Sequence, residues 1–100
     1  MRLEISEFQR LMKDVYYEKD SKRGIEGTIR RLREEVDELE GASLEGSKRA
    51  IADELADVLA WLASLANILD ADLQKAALSK YCRGCPRCLS SPCKCKDPQT

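Results

Sequence analysis

The sequence has no histidine among its 100 residues, and this absence restricts the chemistry available to the chain. A histidine general base and histidine metal ligands are both excluded. A di-iron site of the ferritin type is disfavoured as well, because such sites use Glu-x-x-His motifs. Carboxylates and cysteine thiols are therefore the side chains in which a metal-binding pattern has to be sought.

Long apolar runs are also missing, since no stretch reaches the roughly 18 residues that a transmembrane helix requires. The first residues, Met1 to Ile5, lack the continuous apolar core of a signal peptide. We therefore expect a cytoplasmic protein without a membrane partner. The chain is long enough for one small domain, and domains of this size often oligomerise.

Proline is scarce, and all three prolines fall within the last fifteen residues, where all five cysteines also lie between residues 82 and 95. Residues 82–100 carry a net charge of +3, and the remainder of the chain carries −4. This change in composition predicts a helical domain over residues 1–81 and a cysteine-rich tail over residues 82–100. The acidic body gives no basis for expecting a nucleic-acid partner.

Apolar residues recur at steps of three and four in four segments, which predicts an all-α protein with four helices. The helices are expected at about residues 6–19, 25–40, 47–69 and 70–81. Ser6 and Gln9 have the spacing of a capping box, residues 20–24 predict a turn, and Gly41 is expected to end the second helix. The stripes on the second and third helices are expected to form the core: Ile25, Ile29, Leu32, Val36, Leu39, Ile51, Leu55, Val58, Leu62, Leu65 and Leu69.

Two acidic pairs flank these apolar stripes, with Glu35 and Glu38 on the second helix and Glu54 and Asp57 on the third. Residues three apart on a helix are surface neighbours, so each pair points in one direction. A short loop makes the two helices antiparallel neighbours, which brings four carboxylates together. Such a cluster repels itself unless a cation lies within it, and oxygen ligands favour Mg²⁺, then Mn²⁺ or Ca²⁺. The alternative is a solvated helix face with ordinary salt bridges.

The spacing Glu34-Glu35-x-x-Glu38, followed after fifteen residues by Glu54-x-x-Asp57, resembles the E-E-x-x-E…E-x-x-D signature of the MazG-like nucleoside triphosphate pyrophosphohydrolases. The run Asp20-Ser21-Lys22-Arg23-Gly24, followed by Thr28, is similar to the D-x-x-R-G…T run of one MazG-like subgroup. The segment 57–62 resembles the second metal helix of that subgroup. The cysteines after residue 84 resemble its C-terminal tail.

The resemblance implies a MazG-like four-helix bundle that forms homodimers or homotetramers. It also implies a hydrolase of phosphorus anhydrides that converts a nucleoside triphosphate into the monophosphate and pyrophosphate with Mg²⁺, or with Mn²⁺ in its place. Carried over to this chain, the metal ligands are Glu35, Glu38, Glu54 and Asp57. Glu34 or Glu38 is expected to orient or deprotonate the attacking water. Candidate substrate-binding residues are Arg23, Arg31, Lys80 and Trp61.

Two other functions remain open for the same fold. Many relatives continue after the residue matched by Lys80 with a K-x-x-x-N-x-x-R-type run, whereas here the cysteine tail begins at once. The chain would then be a non-catalytic regulator that binds metal and nucleotide, or an oligomeric protein that recruits a partner through its tail. Retained nucleotide binding without turnover would identify the first of these.

The tail has the pattern C-x-x-C-x-x-C-x₄-C-x-C, which is typical of metal knuckles. The expected Zn²⁺ ligands are Cys85, Cys88, Cys93 and Cys95, with Cys82 left over. Gly84, Pro86 and Pro92 suit tight turns around such a site. Disulfide bonds and a disordered tail are the alternatives.

Overall fold

The computed structural model describes residues 3–96 and contains three helices: α1 (Ile5–Glu45), α2 (Lys48–Ile68) and α3 (Leu73–Tyr81). Within that range there is no strand, so the all-α class is confirmed. The predicted count of four helices is not confirmed, because the first two predicted helices form one helix with a kink. No helix in the described part of the chain has a stretch long and apolar enough to cross a bilayer.

The kink in α1 lies at Gly24, the one residue of the helix with non-helical dihedral angles (φ 84°, ψ 174°). Glycine adopts a positive φ without the steric penalty that other residues incur. The predicted turn over residues 20–24 is therefore wrong in length, since residues 20–23 are helical. A partly buried ion pair stabilises this last turn before the kink: Arg23 donates to the buried Asp20 at 2.8 Å. Beyond the kink, the Thr28 hydroxyl donates to the Gly24 carbonyl at 2.8 Å.

The kink divides α1 into a first arm before Gly24 and a second arm after it. The second arm continues past Gly41, so the predicted helix end at this glycine is also wrong. The helix ends at Glu45, where Gly46 adopts φ 79° and its N–H donates to the Ala42 carbonyl at 3.1 Å. Ser47 caps α2 as predicted and accepts a hydrogen bond from the backbone of Ala50. Only two residues join the helices, which makes the second arm of α1 and α2 antiparallel neighbours.

The first arm of α1 is attached to the end of α2 and the start of α3 by polar contacts. The Gln9 side chain donates to Asn67 at 3.0 Å and to the Ala71 carbonyl at 2.7 Å, and it accepts from the Leu73 backbone at 3.0 Å. Gln9 is therefore not part of a capping box with Ser6. The capping contact lies two residues earlier, where the Glu4 N–H donates to the Glu7 carboxylate at 2.8 Å.

Small and polar residues, not the predicted apolar stripes, are the most buried part of the chain. Ala42, Ala63 and Ala66 are buried together with the polar residues Asp20, Thr28, Glu35, Ser64 and Asn67. The predicted core stripes are only half-buried or exposed, with Val36 at 48% and Leu55 at 52% exposure. The physical reason is that small side chains let the two helices approach closely on the face that also carries Glu35. The larger apolar residues are left at the edges of this contact.

Candidate metal centre and adjoining cleft

Three of the four predicted metal ligands meet between α1 and α2. Glu35 and Glu38 lie one helical turn apart on α1, and Glu54 faces them from α2. Each contributes one carboxylate oxygen to a group in which all three oxygens lie within 4.8 Å of one another. Glu35 is 6% exposed, Glu54 is half-buried and Glu38 is exposed, so the cluster runs from the interior to the surface.

Asp57, the fourth predicted ligand, lies outside this group of three but close to it. It is exposed, one turn beyond Glu54 on α2, and its charge raises the pKa values of both Glu35 and Glu54. Asp57 also lines the neighbouring cleft. Its position is therefore between the carboxylate cluster and the cleft.

Hydrogen bonding, burial and like charges together raise pKa values in the cluster. A hydrogen bond with Glu38 raises the pKa of Glu35 to about 7, and burial and the charges of Glu38, Asp57 and Glu54 act in the same direction. Burial raises the pKa of Glu54, with a further contribution from the charge of Glu38. Both shifts have the direction expected for carboxylates that share a site without a cation.

The donor set fits a hard divalent cation. It consists of carboxylate oxygens alone, which are ligands that Mg²⁺ and Mn²⁺ prefer. In addition, Oε2 of Glu54 is buried without a hydrogen-bond partner in the described range. A buried polar oxygen is unfavourable without a partner, and a cation among the three carboxylates would supply one.

A cleft of about 290 Å³ adjoins the cluster on the side of Asp57. Its walls include two cations, Lys19 and Arg23, and two aromatic rings, Tyr16 and Trp61. Cationic groups beside a carboxylate cluster suit a ligand that carries both negative charge and a bound divalent cation. Asp20 also reaches the cleft wall, and its Oδ2 is buried without a hydrogen-bond partner among the residues described.

Three of the four predicted substrate-binding residues meet at one ring. The guanidinium carbons of Arg23 and Arg31 lie 4.6 and 5.0 Å from the ring centroid of Trp61, within cation–π range. Lys80 is not among the residues that line this cleft, and its Nζ lies 5.6 Å from the ring centroid of Tyr81 in the last turn of α3.

The two predicted catalytic carboxylates occupy different surroundings. Glu38 belongs to the carboxylate cluster, whereas Glu34 is exposed and accepts a hydrogen bond from Arg31 at 2.7 Å. Glu34 is therefore not one of the three clustered carboxylates. Its contact fixes a guanidinium that lies against Trp61.

Some residues of the cleft were missed by the sequence analysis. Tyr16 is not among the candidates drawn from the sequence, and Lys19 appears there only as the end of the first predicted helix. Asp20 belongs to the run that resembles the MazG-like subgroup, so a signal for it existed. Its ion pair with Arg23, with the acid only 1% exposed, could not be derived from that run.

The tail forms a second cluster of metal-ligand type. One sulfur from each of Cys85, Cys88, Cys93 and Cys95 lies within 4.8 Å of the others, and these thiols are free. Backbone N–H groups of Cys88 and Arg87 lower the pKa of Cys85. The N–H of Lys94 is the main cause that lowers the pKa of Cys88 to about 6. Hydrogen bonds with Cys93, then Cys85 and Cys88, raise the pKa of Cys95 to about 12.

Together, the fold and the site define an all-α protein in which two antiparallel helices gather carboxylates beside a cationic cleft. A family model described as the MazG nucleotide pyrophosphohydrolase domain matches residues 23–89, and the chain belongs to this family. The match confirms the resemblance seen in the sequence motifs, and it includes all four predicted carboxylate ligands. A search of curated proteins found no match.

Proposed function

We propose that the protein is a Mg²⁺-dependent nucleoside triphosphate pyrophosphohydrolase, which cleaves between the α- and β-phosphates and releases a nucleoside monophosphate and pyrophosphate. One observation carries the proposal: Glu35, Glu38 and Glu54 cluster beside the cleft that contains Arg23, in a chain of the MazG family. The family match does not favour the non-catalytic alternatives.

In this proposal Glu35, Glu38, Glu54 and Asp57 hold the cation. Mg²⁺ (or Mn²⁺) held there would neutralise charge on the phosphate oxygens and would lower the pKa of the attacking water. The clustered oxygens and the unpartnered Oε2 of Glu54 support this assignment. Asp57 lies on the cleft side, which is where the phosphates would enter.

The hydrolytic step forms a bond from a water oxygen to phosphorus and breaks the P–O bond to the oxygen that bridges the α- and β-phosphates. The products are the nucleoside monophosphate and pyrophosphate. The water proton passes to a carboxylate, and Glu38 is the better of the two predicted candidates. It is exposed within the cluster, so it has access to water as well as to the cation-binding group. Glu34 instead has a positioning role through its bond to Arg31.

Arg23 is the strongest candidate for contacting the triphosphate. It lines the cleft, and Asp20 holds its guanidinium at 2.8 Å while the ring of Trp61 lies against it. An arginine held in this way loses little freedom when it binds phosphate. Trp61 thus supports two guanidinium groups. For Lys80, a role in phosphate binding is supported only by the sequence motif.

The active form is a homodimer or a homotetramer in our proposal. The helices that carry the carboxylates also carry exposed apolar residues, including Val36, Leu55, Leu59 and Leu62. The radius of gyration is 15.6 Å, against about 13 Å for a compact chain of this length. Both facts suit a chain that buries further apolar surface against a second copy. Light scattering coupled to size exclusion will give the mass, and Leu55→Glu should reduce it.

Pyrophosphate release from a panel of normal and modified nucleoside triphosphates tests the reaction directly. We expect turnover that requires Mg²⁺, disappears in Glu54→Gln and persists in Glu40→Gln, a matched substitution of an exposed carboxylate on α1. Mg²⁺-dependent nucleotide binding without turnover by the unmodified chain would instead support a regulatory role. Turnover that survives Glu54→Gln would contradict the assigned metal centre.

A further inference from the structure

The tail has little packing to hold it in place. Residues 82–96 contain neither helix nor strand, and Cys85 is the only residue of this described segment that is buried. A segment without a core of its own needs another source of order, such as a metal ion or disulfide bonds. The five cysteines are free thiols, so disulfides do not supply it here.

A tight turn built around Gly84 presents the first two cysteines of the cluster. The N–H of Cys85 donates to the Ser90 carbonyl at 3.1 Å, and the N–H of Leu89 donates to the Cys85 carbonyl at 2.7 Å. Gly84 adopts φ 90°, and a Cβ added there would lie 2.7 Å from the Ser90 carbonyl oxygen. Only glycine fits this turn without displacement of the backbone.

The sulfur positions have the dimensions of a tetrahedral thiolate site. The Cys85 and Cys95 sulfurs are 3.7 Å apart, and those of Cys88 and Cys93 are 4.0 Å apart. A tetrahedron of sulfurs about 2.3 Å from a central Zn²⁺ has edges of about 3.8 Å. Sulfurs joined in a disulfide would be only about 2.0 Å apart.

Backbone N–H groups point at these sulfurs, as they do where thiolates carry negative charge. The N–H of Lys94 donates to Cys88 Sγ at 3.3 Å, and the N–H of Cys95 donates to Cys93 Sγ at 3.4 Å. These contacts orient the sulfurs of Cys88 and Cys93 and would disperse negative charge on them.

We propose that Cys85, Cys88, Cys93 and Cys95 bind one Zn²⁺ and that this ion, not packing, orders residues 82–96. Cys82 is exposed and lies outside the cluster, so it is not a ligand. Four soft thiolates select Zn²⁺ and reject the Mg²⁺ that suits the carboxylates, so the chain holds two centres of opposite preference. The family match ends at residue 89, so it includes Cys85 and Cys88 but not Cys93 and Cys95, and the complete ligand set extends beyond the matched domain.

Metal analysis of the full chain, purified reduced and without chelator, tests the identity of the ion. Native mass spectrometry should show one Zn²⁺ per chain. Cys82→Ser should retain it, whereas Cys88→Ser should lose it, and these two variants carry the same chemical change. Bound iron, two disulfides, or an equal loss of zinc from both variants would overturn the proposal.

Limited digestion with trypsin tests the structural role. The tail offers cleavage sites after Arg83, Arg87 and Lys94, all exposed. The zinc-loaded chain should resist cleavage after Arg87, and removal of zinc by a chelator should raise the cleavage rate at least tenfold while the helical circular dichroism stays constant. Readdition of Zn²⁺ should restore resistance. Equal cleavage with and without zinc would refute the ordering role, and neither readout depends on nucleotide hydrolysis.

Discussion

Substitution of Glu35 by glutamine should stabilise the metal-free protein and abolish its stabilisation by Mg²⁺. Glu35 is the most buried member of the cluster, and glutamine retains its shape while removing its charge. The amide of glutamine can also donate to Glu38, which replaces a repulsive contact by a hydrogen bond.

The magnitude follows from the separation of the carboxylates. The three carboxylate oxygens lie within 4.8 Å of one another. Two unit charges at that distance repel by about 1 kcal/mol in water and about 3.5 kcal/mol at an effective dielectric constant of 20. Because Glu38 is exposed, solvent screens the cluster, and the lower part of this range applies. A gain of about 1 kcal/mol corresponds to a Tm that is roughly 4–8 °C higher for a domain of this size.

Thermal unfolding at pH 8, where Glu35 is ionised, should be recorded with a chelator and again with saturating Mg²⁺. The wild type should gain about 2.7 kcal/mol when free Mg²⁺ is a hundredfold above its Kd. Glu35→Gln should gain little, so the order of the two melting temperatures should invert between the two conditions. Glu40→Gln should follow the wild type in both.

Two outcomes would refute this reasoning. If Glu35→Gln melts below the wild type in chelator, then repulsion among the carboxylates does not destabilise the metal-free fold. If the variant gains as much as the wild type from Mg²⁺, then the cation binds elsewhere. Either result would remove the physical basis for the metal centre, whatever the activity measurements show.

Three further predictions concern pH, the kink and the cleft. The raised pKa of Glu35, about 7 against an ordinary 4.5, means that the folded metal-free protein binds a proton more readily than the unfolded chain. Its free energy of unfolding should therefore fall as pH rises from 4.5 to 7, and its affinity for Mg²⁺ should rise over the same interval. Glu35→Gln should flatten both profiles, the first measured by thermal melts and the second by calorimetry. Gly24→Ala should destabilise the fold by about 1–2 kcal/mol in urea unfolding because of its φ of 84°, whereas Gly41→Ala, within the helix and with open space for a Cβ, should be neutral or stabilising. Arg23→Lys should raise KM about tenfold in pyrophosphate-release assays, since lysine lacks the planar fork that Asp20 and Trp61 hold, and an unchanged KM would remove Arg23 from the substrate site.

The carboxylate cluster was predictable because its determinants are local. Glu35 and Glu38 share a face by helix geometry alone, and the two-residue connection makes Glu54 their neighbour. The cysteine cluster was likewise predictable from the spacing of the cysteines along the chain. Asp57 did not join the three clustered oxygens, since the last few ångströms depend on side-chain placement and not on helical register.

A break at Gly24 was predicted as the end of a turn, whereas the helix end and the core were less predictable. Either Gly41 or Gly46 could have adopted the positive φ that ends α1, and the helix in fact continues through the buried Ala42 and ends before Gly46. Periodicity identifies the faces of a helix but not which face meets its neighbour. Here the small face with Ala63 and Ala66 meets α1, and the leucine-rich stripe stays largely outside.

The kink at Gly24 turns the first arm of α1 into a lever. Gln9 lies fifteen residues before it, or about 22 Å along the helix axis. Hydrogen bonds tolerate changes of about 0.5 Å in length, which at that radius corresponds to an angle of only about one degree. The contacts of Gln9 with Asn67 and Leu73 therefore fix the angle of the kink at Gly24. Through this angle they also fix the position of Arg23 relative to the carboxylates that follow the kink.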